Sequence, residues 1–77
     1  MTATVQNEAA EKARQQAGKA KATVDEAISW LRSAAASYDT AGQAHEAMAC
    51  MPTILSLMAI STEIGELNKR VENEEQA

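Results

Sequence analysis

Apolar residues recur along much of this chain in alternating steps of three and four, and that spacing limits the fold more than any other feature. The first run is Ala10, Ala13, Ala17, Ala20 and Val24, continued after one further step of four by Ile28, Leu31, Ala35 and Tyr38. At 3.6 residues per turn these positions form a seam along one face of a helix. A second run, Leu57, Ile60, Ile64, Leu67 and Val71, has the same spacing. No stretch alternates with the period of two that a half-buried strand requires, so the chain is expected to be all-α.

The two runs fit one another as an antiparallel helical hairpin. The first half of the first seam is lined only with alanine, which buries little surface but lets a neighbouring backbone come close. The second run supplies large residues, and a reversal near Asp39 and Thr40 sets Leu57, Ile60, Ile64, Leu67 and Val71 roughly against Ala20, Ala17, Ala13 and Ala10, large against small. The same register places the basic stretch 12–21 beside the acidic stretch 63–75, which carries Glu63, Glu66, Glu72, Glu74 and Glu75. Pairs four residues apart, Glu8 with Lys12 and Glu66 with Arg70, are expected to support the solvated faces.

Strong helix formers fill residues 8–22, so the first helix is expected from about Glu8, capped by Asn7, to about Ser37. Thr23 and Glu26 have the form of a capping box, but one continuous helix is favoured. Tyr38, Asp39, Thr40, Ala41 and Gly42 carry turn chemistry, and Thr40 with Gln43 is a candidate cap for the second helix. That helix is expected from Ala41 to about Asn73, kinked or split at Pro52, because proline removes a backbone donor and crowds the preceding turn. Residues 1–6 and 74–77 have little to bury and are expected to fray.

One stripe is left over. Met48, Met51, Leu55 and Met58 share a helix face nearly opposite Leu57, Ile60 and Ile64 at 100° per residue, so a single partner helix leaves one of the two uncovered. Seventy-seven residues form at most one small domain, at the low end of what a core stabilises alone. A homodimer solves both problems: two hairpins packed through Met48, Met51, Leu55 and Met58 make a four-helix bundle. Trp30 lies about 100° off the seam and reads as part of that dimer core, as folded over the edge of the seam, or as an anchor for a different protein.

Charge and composition narrow the function. Seven Lys and Arg against eleven Asp and Glu give a net charge of −4, the wrong sign for a protein that neutralises phosphates, so no nucleic-acid partner is expected. The most apolar stretch, residues 54–60, is far shorter than the roughly 20 residues that span a bilayer, and no membrane partner is expected. The N-terminal residues do not read as a secretory signal, and the single Cys50 excludes an internal disulfide, so a cytoplasmic location is expected. With one His, one Cys and no glycine-rich phosphate loop, the chain is not expected to be an enzyme or to hold a cofactor. His45, Met48, Cys50 and Met51 together would suit Cu(I), although methionine and free cysteine more often fill cores.

In length and hairpin shape alone the chain resembles plasmid-copy-control hairpin dimers, secretion-needle chaperones and small phage-encoded inhibitors. It lacks the Trp-x-Gly turn of secreted helical virulence factors, since Trp30 is followed by Leu31 and Arg32. The expected function is that of a binding protein, an inhibitor or adaptor of some larger protein, that docks through Trp30 or through the acidic residues Glu63 and Glu66. The alternative is an assembly element or chaperone-like subunit whose alanine seam accepts another protein's helix.

Overall fold

A computed structural model of the chain describes the backbone of residues 2–76 and the side chains of residues 6–70. The side chains at 1–5 and 71–77, on which the inward position of Val71 and much of the expected fraying turn, lie outside that description. Two helices, α1 (Thr2–Thr40) and α2 (Ala44–Gln76), fold back on each other as an antiparallel hairpin. The rod measures 61 × 16 × 12 Å and has a radius of gyration of 17.7 Å, against about 11.5 Å for a compact domain of this length.

α1 begins earlier and ends later than expected, so Asn7 lies inside it rather than at its cap. Thr23 does not restart the helix. Its hydroxyl donates back to the Lys19 carbonyl at 2.9 Å, and Thr40 does the same to Ala36 at 3.0 Å, which removes Thr40 as a cap for α2. The reversal rests on Gly42 instead, with φ at +78° in the left-handed region that glycine enters without a Cβ clash. The Gln43 N–H donates to the Tyr38 carbonyl at 2.8 Å and the Gly42 N–H to the Asp39 carbonyl at 3.0 Å. Those two bonds close a Schellman motif and satisfy carbonyls at the end of α1. α2 then starts at Ala44, with the Ala47 N–H donating to the Gln43 carbonyl.

Pro52 does not split α2, which runs unbroken past it. The proline stands on an exposed face, so the Met48 carbonyl that loses its N–H partner there has water as the alternative.

Packing divides the hairpin into two halves. In the half next to the turn, Ile28, Cys50 and Ile54 are buried, Ile54 to 4% exposure, with Val24, Leu31, Ala35 and Leu57 packed against them. Here the expected seam of α1 is observed up to Ala35, while Tyr38 is exposed. In the far half the seam differs from expectation. Arg14 and Lys21 turn partly inward, in line with Ala10 and Ala17, while Ala13 and Ala20 face solvent. On α2 the inward positions are Cys50, Ile54, Leu57, Ser61, Ile64 and Asn68, again in steps of three and four, whereas Ile60 and Leu67 are 43% and 53% exposed. The offset is small in angle but changes the chemistry, because the true inward line of the far half passes through polar side chains.

Candidate protein interaction surface

Two groups of residues stand out once the helices are placed, one polar and between them, the other apolar and outside. The polar group closes the apolar core. Ser61, buried to 6% exposure, donates its hydroxyl to Asp25 Oδ1 at 2.5 Å and accepts from Lys21 Nζ at 3.0 Å, while Lys21 also pairs with Asp25 Oδ2 at 3.2 Å. The Ser61 hydroxyl, and after it the Lys21 ammonium, hold the Asp25 carboxyl below its ordinary value of 3.8, against a smaller opposing effect of burial.

A serine beside a lysine is a pairing that nucleophilic catalysis employs. Here the serine proton is directed at a carboxylate and its oxygen lies between two packed helices, so the arrangement ties α1 to α2 in a fixed register. Sequence reading missed this cluster by searching for an imidazole base. The signal that marks it is Lys21 and Asp25 four apart on one helix, with Ser61 interrupting the apolar steps of the other.

The apolar group lies outside. Met48, Met51, Leu55 and Met58 range from 42% to 70% exposed and follow one another in steps of three and four, so they form a continuous stripe on α2 beside the buried line. Met58 Sδ meets Arg32 Nη2 across the hairpin at 3.9 Å, which places the stripe on the same side of the rod as Arg32 and Asp25. On α1 that side presents Ala22, Ser29 and Ala36, all exposed and small. The whole chain exposes 5969 Å², against about 4,500 Å² that size scaling gives a folded monomer of its mass.

Trp30 is 67% exposed; it neither fills the core nor covers the seam, and the helical step places it on the back of α1. Glu63 and Glu66 stand exposed on α2, where with Thr62, Ile64, Leu67 and Arg70 they line an open surface groove of about 600 Å³. Glu66 pairs with Lys69 at 3.9 Å, three residues on, rather than with Arg70. Trp30 and these glutamates occupy different helices and are not brought together. The copper candidates also diverge: Cys50 is buried and its thiol donates to the Glu46 carbonyl, while His45, Met48 and Met51 are exposed.

The apolar character of α2 extends beyond residues 54–60. Between Ala47 and Thr62 it carries no charge, and by length and composition alone the segment Ala44–Arg70 is sufficient to cross a membrane. Serines, threonines and Pro52 interrupt that segment without making it strongly polar. Comparison with protein families, curated proteins and solved structures finds no match for the chain.

Proposed function

We propose that this hairpin is a non-enzymatic protein-binding module of the cytoplasm whose first partner is a second copy of itself, docked on Met48, Met51, Leu55 and Met58. The observation that carries the reading is the imbalance between what is buried and what is exposed. Ile28, Cys50 and Ile54 form the buried apolar core of the described residues, while four large, flexible apolar side chains stand in one stripe in water. Methionine-rich stripes suit interfaces because the unbranched side chain adapts to the surface it meets. Pairing two stripes gives a four-helix bundle and completes a core that a lone hairpin leaves thin.

In that bundle Trp30 remains on the outside, free to anchor a larger protein as aromatic hot spots do. Glu63 and Glu66 offer a separate acidic surface. The module then acts as an inhibitor or adaptor by occupying its target. A second reading rests on the same thin core: the hairpin as an assembly element that becomes well ordered only when another protein's helix fills its seam.

Light scattering with circular dichroism tests both. The first reading expects a helical particle of twice the 8.2 kDa chain mass, and it expects Leu55→Glu to weaken self-association roughly 100-fold while leaving helicity intact, because an unpaired carboxylate would be buried between copies. A well-helical monomer with an unaltered Leu55→Glu spectrum would refute self-association. A poorly helical monomer favours the assembly element. If purified protein floats with lipid vesicles, the uncharged segment of α2 acts on membranes and the protein-binding reading fails.

A further inference from the structure

We propose that Met48, Met51 and Met58 form an oxidation site, and that peroxides, by converting these thioethers to sulfoxides, release the two copies from one another. The proposal rests on the self-association argued above and adds its regulation. Three observations lead to it: where the methionine sulfurs lie, where the cysteine sulfur lies, and what stands beside Met58.

Three of the chain's four methionines fall in the one stripe, at 70%, 53% and 42% exposure for Met48, Met51 and Met58. A thioether needs no deprotonation to react, so access to the sulfur governs its oxidation. Cys50 is the opposite case, buried in the core with its thiol donating to the Glu46 carbonyl at 3.4 Å, and thiols sheltered in this way are inert. In the reaction a methionine sulfur attacks one oxygen of hydrogen peroxide. The S–O bond forms as the O–O bond breaks, and the proton on the transferred oxygen passes to the departing one. The sulfide is oxidised by two electrons and the peroxide is reduced to water.

The product no longer suits the interface. A sulfoxide oxygen accepts hydrogen bonds, and the side chains it would meet on the other copy's stripe, Met48, Met51, Leu55 and Met58, carry no donor. In the separate hairpin the same oxygen is solvated. Met58 has a partner there as well: Arg32 Nη2 stands 3.9 Å from its Sδ, and Arg32 is the one charged residue between residues 27 and 38. A guanidinium that meets a weak thioether acceptor is placed to donate to an oxygen added there. The buried apolar core, Ile28, Cys50 and Ile54, contains no methionine, so oxidation separates the copies and leaves each hairpin folded. Pairing in turn covers the sulfurs, and association and oxidation exclude each other.

The test treats the full chain with graded hydrogen peroxide and follows it by light scattering, circular dichroism and peptide mass mapping. Oxygen is expected on all three methionines and not on Cys50, with self-association weakened roughly 100-fold and helicity retained. Methionine sulfoxide reductases of both epimer specificities should then restore the dimer. The triple variant Met48→Leu, Met51→Leu and Met58→Leu keeps the apolar volume together with Cys50, and should stay paired at the same dose. A second measurement uses wild type alone: oxidation of the three sulfurs, relative to free methionine in the same solution, should slow several-fold as protein concentration rises through the association range. Wild type that stays paired with all three sulfurs oxidised overturns the inference while self-association stands. A leucine variant that separates as readily, or helicity lost together with pairing, has the same meaning. If the leucine variant does not pair before treatment, the concentration dependence decides: slowing supports the inference, and equal rates in a dimer place the interface away from the stripe and overturn it. An untreated monomer overturns both the inference and self-association.

Discussion

The half of the hairpin next to Gly42 and the half beyond Ser61 share one backbone geometry and are held together differently. Near the turn, Ile28, Cys50 and Ile54 are buried against Val24, Leu31 and Leu57, and removal of apolar surface from water supplies the cohesion. Beyond Ser61 the inward positions are Ala10, Arg14, Ala17 and Lys21 facing Ile64, Gly65 and Asn68, all of them only half-buried. There the helices persist through intrinsic propensity, through local pairs and through the stem of Lys21, whose Cε would lie 3.4 Å from a methyl group at Gly65. Stability is therefore concentrated near the turn, while the charged arm is a surface laid out by helices that it does little to hold.

The largest test of that contrast compares two isoleucines on the same helix. Ile54→Ala is expected to cost about 2–5 kcal/mol, because it removes the most buried side chain and leaves a cavity. For a domain this small such a loss approaches the whole stability, and thermal melting followed by circular dichroism should show a broad, low transition or none. Ile64→Ala, in the half-buried arm, is expected to cost about 1 kcal/mol or less by loss of partial burial. Equal losses at the two sites would erase the distinction between the halves.

The same contrast explains which parts were legible in the sequence. Where large apolar residues carry the seam, from Val24 through Ala35, one position is clearly inward and the reading matches the structure. In the arm, alanine carried the pattern, and alanine sits equally well on either side of a helix. Ala13 and Ala20 therefore imitated a seam whose actual members are their neighbours Arg14 and Lys21. On α2 the apolar richness of residues 54–60 concealed which line faced inward: Ile60 looked like core because Ser61 did not. The leftover stripe was readable for the opposite reason, since four large residues in steps of three and four have an unambiguous direction. The turn was found, but its cap was not: α1 runs on through Thr40, whose hydroxyl donates back to the Ala36 carbonyl, and the chain reverses at the left-handed Gly42.

A middle-sized effect probes the boundary between the halves. Ser61→Ala removes one donor and one acceptor from the Lys21, Asp25 and Ser61 cluster and is expected to cost about 0.5–1.5 kcal/mol, the net value of such a hydrogen bond. Hydrogen exchange sharpens the result. If the cluster fixes register, amides of the arm should lose protection in Ser61→Ala while those around Ile28 and Ile54 keep theirs. Uniform loss throughout would mean that the two halves unfold as one unit.

Acid should reach the cluster with the smallest effect. Asp25 is depressed below 3.8 in the folded chain, first by the Ser61 hydroxyl and then by Lys21, so the folded state favours its ionised form. A carboxyl of lowered pKa contributes stability that is fully present above its unfolded value and is lost as pH falls through the folded one. The protein should therefore keep this contribution at neutral pH and shed it below about pH 4, where an unfolded aspartate begins to take up its proton first. Because Asp25 stands largely in water, solvent screens the interaction and the loss is small. Denaturant melts of wild type and Asp25→Asn from pH 7 to pH 2 isolate it: the wild type should fall more steeply below pH 4, and the two curves should converge at the acid end. Parallel curves would show that the short contact to Ser61 fixes geometry without linking the arm's stability to proton uptake.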